Sequence, residues 1–230
     1  MDAGLKRELE AKVYAGERLT REDGIALHES DDLAWLGRLA HHRRTELNGD
    51  RVSFTVNDHP NVLGELTAAL PNVNLDEMIA AGVATMLYGH IDEPGDRVDE
   101  VLRLRARQDE TGGFRTFAPV RHESAMPAES LKTFAVARLL LDNVPHLTAL
   151  WDSHGLSVAQ LALNFGADDL ASAAPGDKDE APDAKDDLLD LIGDAGYQPV
   201  ERDDSFEIVH EHDKPISYAE RRSEPQRVWA

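Results

Sequence analysis

From residue 83 onward the chain repeats one pattern: a short apolar run, a loop, then a helical stretch. Residues 83–88, 114–120 and 147–151 read as strands, and 167–170 as a fourth, very short one. Residues 95–108, 128–141 and 158–165 read as helices, the last stopped by Gly166. Strands that alternate with helices at this spacing form a parallel sheet of βα units. The first part of the chain differs. Residues 3–47 read as helices: Leu5, Leu9 and Val13 recur at helical spacing, and Leu33, Leu36 and Leu39 line a buried face flanked by Trp35 and Ala40. Thr20 with Asp23 predicts an N-cap and an acidic first turn, and Ser30-Asp31-Asp32 starts the next helix in the same way. Asn48-Gly49-Asp50 is a turn, after which Val52, Phe54 and Val56 alternate as a strand.

Beyond the repeats, residues 171–185 are rich in Ala, Pro, Gly, Asp and Lys and are expected to form an exposed linker. Residues 186–195 predict a short helix closed by Gly196. Val200 and Phe206-Glu207-Ile208-Val209 predict a final strand or hairpin, and the tail from Pro215 is expected to be poorly ordered.

Composition narrows the function. With 41% hydrophobic residues the chain can bury a core. Its 24 basic and 44 acidic residues give a net charge of −20, which disfavours binding to nucleic acids or anionic membranes. No apolar run approaches the roughly 20 residues of a membrane span, and the N-terminus lacks the apolar segment of a signal peptide. The expected location is the cytoplasm. The chain has no cysteine, which excludes disulfides, thiol catalysis and thiolate metal sites.

In a βα barrel, functional groups sit where strands end and loops begin. Those positions hold His90 after the first strand of the repeat, Arg121 and His122 after the second, His154 after the third, and Asp168 and Asp169 at the fourth. Such a rim suits an anionic, hydroxyl-bearing ligand: Arg121 to pair with a carboxylate, the aspartates to accept ribose hydroxyls. A plainer reading stays open, in which His90 and His154 cap loops and Asp168 and Asp169 are solvated turn residues. His41-His42 lies on a helix, where adjacent residues do not share a face, so no metal site is expected there. The exposed cluster His210-Glu211-His212-Asp213 is expected to be inert, and Gly112-Gly113 is a helix-to-strand turn rather than a phosphate loop.

Several stretches together carry a family resemblance: Ala84-Thr85-Met86-Leu87-Tyr88-Gly89-His90-Ile91, Gln108-Asp109-Glu110-Thr111-Gly112-Gly113-Phe114, Asp142-Asn143-Val144-Pro145-His146 and Gly166-Ala167-Asp168-Asp169. They resemble the C-terminal half of aminofutalosine synthase, a radical SAM enzyme of menaquinone biosynthesis. The opening helices resemble that family's N-terminal extension, and Val52 to Asn57 the strand leading into its cluster loop. The resemblance implies an α/β fold: an incomplete (β/α) barrel of radical SAM type with an N-terminal helical extension and a small C-terminal α+β piece. The corresponding segments are residues 1–56, a degenerate junction at 57–82 in place of the early barrel, a half-barrel at 83–170, the linker at 171–185 and the C-terminal piece at 186–230.

The family reaction adds SAM's adenosyl radical to an enolpyruvyl benzoate, using a [4Fe–4S] cluster on a Cys-x-x-x-Cys-x-x-Cys motif. Here Asn57-Asp58-His59-Pro60 stands after the strand and the cysteines are missing, so no cofactor is expected on this chain and none of its residues is assigned to catalysis or to a metal. The resemblance leaves three readings: a truncated relative without the radical chemistry, a pseudoenzyme that holds a nucleoside or aromatic carboxylate or regulates its active relative, and a repurposed metal-independent enzyme. A barrel short of strands also implies exposed sheet edges, hence a homodimer or docking on a full-length homologue.

Overall fold

A computed structural model of the chain describes residues 1–56, 61–90, 93–173 and 181–216. The predicted joint Asn57-Asp58-His59-Pro60, part of the linker and the tail from residue 217 lie outside the described residues. Three helices open the chain: α1 (Ala3–Tyr14), α2 (Arg21–His28) and α3 (Leu33–Asn48). There follow β1 (Arg51–Phe54), α4 (Val62–Ala69), α5 (Leu75–Ala81), β2 (Val83–Tyr88), α6 (Pro94–Thr111), β3 (Thr116–Arg121), α7 (Pro127–Leu140) and β4 (His146–Leu150). The chain continues through α8 (Trp151–His154), α9 (Leu156–Ala162), a 3₁₀ turn (Leu163–Phe165), β5 (Asp169–Ala171), α10 (Ala181–Asp194), β6 (Gln198–Arg202) and β7 (Ile208–Glu211).

The local signals act as expected. The Thr20 hydroxyl accepts from the Asp23 amide at 3.2 Å while the Asp23 carboxylate accepts from the Thr20 amide at 3.0 Å, a reciprocal cap that starts α2. Gly112, at φ +62°, ends α6 in the left-handed conformation that a side chain disfavours. Two expectations shift. Trp151 opens α8 rather than closing the strand, and the last helix begins at Ala181, inside the predicted linker. The junction is also more than a degenerate joint, since its described part contains α4 and α5.

The seven strands form one open sheet in the order β2-β3-β4-β5-β1-β6-β7, parallel throughout except for the antiparallel pair β6–β7. The barrel is therefore incomplete, as expected. In a closed βα barrel the first strand lies between the last and the second. Here β1 pairs with β5 on one side, Ser53 opposite Asp169, and with β6 on the other, Arg51 to Phe54 opposite Gln198 to Glu201. The C-terminal hairpin thus takes the place beside β1 that a second barrel strand would hold. At the other edge β2 is not bare: Val83 to Met86 and Tyr88 are buried, and α5 and α4 pack against the strand. The outer strand β7 is the exposed edge, with Ile208 and Val209 facing solvent.

Strand alternation divides the sheet into two faces. One face carries Val52, Phe54, Met86, Tyr88, Phe117, Leu147, Ala149 and Leu170, which join the helices in the main apolar core. There α3 packs along α7, and α7 is buried from Ser130 to Leu140 apart from Lys132. The opposite, concave face is polar at its centre. Asp169 accepts from Arg202 through both oxygens at 2.6 Å each, from the Ser53 hydroxyl at 2.6 Å and from the Thr148 hydroxyl at 2.7 Å. The Thr148 proton is committed to Asp169, so Thr116 donates to Thr148 at 2.6 Å.

The Asp169–Arg202 pair is shielded from solvent and joins the hairpin to the last βα strand. Burial acts to raise the Asp169 pKa, but Arg202 and the two hydroxyls outweigh it and hold the group below its ordinary value. Removing one partner of such a pair leaves an uncompensated buried charge. Arg202→Ala is therefore expected to lower stability by about 3–5 kcal/mol. Urea unfolding of the two proteins, followed by circular dichroism, measures the difference.

Candidate functional site

The C-terminal ends of β3, β4 and β5, with α4 above them, enclose a cavity of about 570 Å³ that opens to solvent. Its walls are Val120, Leu150, Asp152, Ser153 and Ala173 from the sheet side and Asn61, Gly64, Glu65, Thr67 and Ala68 from the helix side. Asp152 is fixed by accepting from the Ala173 amide at 3.0 Å. This mouth carries two carboxylates and no cation among its lining residues. No cluster of three metal-ligating side chains occurs among the described residues.

The residues predicted for the rim separate into three groups. His90 is exposed after β2, its ring 6.2 Å from that of His122. His122 in turn is held by the Ser124 hydroxyl at 2.7 Å, and Ser124 donates to the Gly89 carbonyl. Arg121, at the end of β3, belongs to this end of the sheet. It donates to the Ser153 carbonyl at 3.2 Å and the Ala125 carbonyl at 3.3 Å, and no carboxylate pairs with it among the described residues. All three stand at the C-terminal ends of their strands, His90 beside His122 and Arg121 turned to the Ser153 and Ala125 carbonyls.

His154 does not line the mouth. It is buried against Phe134 of α7, and its ring donates through Nδ1 to the Leu150 carbonyl at 2.8 Å. Its Nε2 lies 3.0 Å from the Tyr88 hydroxyl, which also reaches Ser130 at 2.8 Å. The ring follows a single helical turn, α8, which carries it back under the helix layer; strand-end position alone does not reveal that turn.

Asp168 and Asp169 lie at the other end of the sheet. They precede and begin β5, so they sit at its N-terminal end and are buried rather than solvated. Alternation points them to opposite faces. Asp169 faces the concave side, as described above. Asp168 pairs with the fully buried Arg138, accepts from the Leu147 amide at 2.8 Å and contacts His146 Nδ1 at 2.6 Å. Burial acts to lower the His146 pKa, but the Asp168 hydrogen bond and charge prevail and raise it. Phe206, at φ +63°, stacks on His146 at 5.1 Å and lies 3.8 Å beneath the Arg202 guanidinium, closing this end. The Asp-Asp dipeptide is the signal for this lower site. In a strand it supplies one carboxylate to each face. The mouth residues Asn61 and Ser153 carried no sequence signal.

Burial pushes the pKa of His154 down to about 4, and that of His28 likewise to about 4. Both stay neutral in the folded chain while the unfolded chain takes up protons below pH 6.5. Stability therefore falls as pH drops from 6.5 toward 4, by up to about 1.4 kcal/mol per pH unit for each group. His154→Gln is expected to lessen that slope by up to about 1.4 kcal/mol per pH unit. Urea midpoints measured across this window test it; an unchanged slope would show that His154 is protonated in the fold.

No protein-family model matches the chain. An aminodeoxyfutalosine synthase of Streptomyces coelicolor is 36% identical over 387 aligned positions, which cover 99% of this chain and 100% of that protein. Both ends align while this chain has 230 residues, so the long stretch it lacks is internal. The aminodeoxyfutalosine synthase of Thermus thermophilus is 35% identical over 153 residues, covering 57% of this chain and 41% of that protein. The crystal structure of HydG, a maturase of the [FeFe]-hydrogenase, superposes with a TM-score of 0.64 over 87% of this chain and 76% of that one; at 12% identity it shows the fold alone. The near end-to-end match, together with the incomplete barrel, places this chain in the aminodeoxyfutalosine synthase family, as an internally truncated member without the cluster cysteines.

Proposed function

We propose that this chain does not carry out the family's radical reaction by itself. One observation carries the reading: in 230 residues there is no cysteine. A [4Fe–4S] cluster is held by thiolates, and this chain supplies none, so its residues do not fit the group. No other donor set replaces it among the described residues. Without a cluster there is no source of the electron that cleaves SAM. The internal truncation supports the same reading, because the joint follows β1, where the family's cluster loop stands. The cytoplasmic location belongs to this proposal and is supported by the lack of any helix among the described residues long and apolar enough to cross a membrane.

A second reading has one observation in its favour. Arg121 is a half-buried cation at the C-terminal end of β3 whose guanidinium, among the described residues, donates to backbone carbonyls. A guanidinium in that state is a receptor for a carboxylate or another anion. In this reading the chain holds a nucleoside or aromatic carboxylate related to the family's reactants, with His90 and His122 beside it.

Two measurements separate these readings. Anaerobic treatment with iron and sulfide, followed by assay with SAM and reductant, is expected to yield no 5′-deoxyadenosine; its formation would overturn the first reading. Thermal unfolding with and without SAM or aminofutalosine tests the second. A ligand at 100 times its Kd adds about 2.7 kcal/mol to the stability of the form that binds it. A melting temperature that rises in the parent protein and not in Arg121→Ala supports the retained site. A transition blind to both ligands rejects it.

A further inference from the structure

Helix α4 lies on the concave face of the sheet, the face that a closed βα barrel turns inward and fills with side chains. Its start is anchored by Asn61, which is buried. The Asn61 side chain accepts from the Gly64 amide at 2.7 Å and donates to the Ser172 carbonyl, just past β5, at 3.0 Å. One turn on, Gly64 passes so near β5's exit that a Cβ there would stand 2.2 Å from the Ala173 carbonyl oxygen. Only a glycine permits that approach. Further along, Leu66 rests on Val83 of β2 and Ala118 of β3.

Two cavities border the helix. The mouth cavity described above lies on one side. On the other is a second cavity of about 220 Å³, which reaches Val62 and Leu63 of α4, Thr116, Thr148 and Ala171 of the sheet, and Arg202, and extends to the exposed residues Arg115, Asp204 and Ser205. The helix thus stands between the mouth and the polar layer at the centre of the sheet. Its apolar seat is small: Leu66, Val83 and Ala118, with Leu63, Val73 and Ala81 partly buried against them, form a cluster that meets the main core through Val73. A segment held by so few buried contacts opens at a lower free energy than the whole fold.

We propose that α4 is a plug: it closes the mouth side of the polar layer in cis, and it leaves its seat by local opening while the main core stays folded. The inference is independent of whether the chain binds a ligand. Any molecule that reaches Thr116, Thr148 and Arg202 from the mouth must first displace this helix.

The missing cysteines make the test clean, because one introduced thiol is the only one present. Ala118 lies under α4, and Ala149 lies in the main core on the opposite face; both are fully buried. In urea well below the unfolding midpoint, the thiol of A118C is expected to react with a maleimide about tenfold or more faster than that of A149C. Adding Gly64→Val, which drives a side chain into the Ala173 carbonyl, should accelerate A118C further and leave A149C unchanged. Equal labelling rates for the two single-cysteine proteins would overturn the proposal. Amide hydrogen exchange in the unaltered protein gives the same answer should Gly64→Val not fold. Residues 62–69 should exchange faster than residues 127–140 of α7, and equal protection of the two segments would overturn the plug.

Discussion

Two adjacent carboxylates, Asp168 and Asp169, hold this fold together. They stand at the start of β5 and face opposite ways. Asp168 takes Arg138 from the helix layer and the Leu147 amide from β4. Asp169 takes Arg202 from the C-terminal hairpin, with Ser53 of β1 and Thr148 of β4 as further donors. The same dipeptide therefore ties α7, β4, β1 and β6 to one short strand. Each charge is paired and its lone pairs are used, which is the condition for burying it without a large penalty. A third buried charge completes this end. Arg44 of α3 donates to the carbonyls of Ala167, Gly49 and Arg51 and lies over the Tyr197 ring at 4.1 Å.

That clasp explains how a barrel can lose an internal stretch and still bury a core. The core lies between the sheet's apolar face and the helices α2, α3, α6, α7 and α9, all of which the chain retains. The truncation exposes the concave face and two strand edges instead. The edge of β1 is taken by β6, fixed there by Arg202. Beside β2, α4 and α5, which follow the joint, pack against the strand. Among the described residues β2 and β7 are the two edge strands, and along β7 His210 and Glu211 place polar groups, as edge strands commonly do.

The functional consequence is a division of the molecule. The N-terminal end of the sheet is densely paired, with His146, Phe206 and Arg202 stacked together. The C-terminal end is where a βα barrel does its chemistry. Here it has a cation that no carboxylate among the described residues pairs, two neighbouring imidazoles and a helix beside the mouth. Family membership is shared with radical enzymes, but the ligands for their cluster are gone. Shape has been kept where the core needs it and altered where the chemistry was.

The sequence by itself determined the layout. Period-two and helical patterns marked the strands and helices after residue 83, because those elements bury one face against a common core and the pattern records it. The caps at Thr20 and Gly112 were legible for the same local reason. The missing cysteines were decisive without any structure, since no arrangement of the remaining side chains makes a thiolate. Tertiary structure alone decided which strand neighbours β1, because any parallel strand could satisfy its hydrogen bonds, and contacts far apart in sequence, Arg202 with Asp169 and Arg51 with Glu211, accompany the choice of β6. It alone sent His154 beneath α7 and placed the aspartates at the start of their strand: a strand three residues long has ends that local pattern does not resolve. It alone set α4 on the concave face. That contact rests on a glycine's lack of a side chain and on one leucine, features that acquire meaning only against the residues they meet.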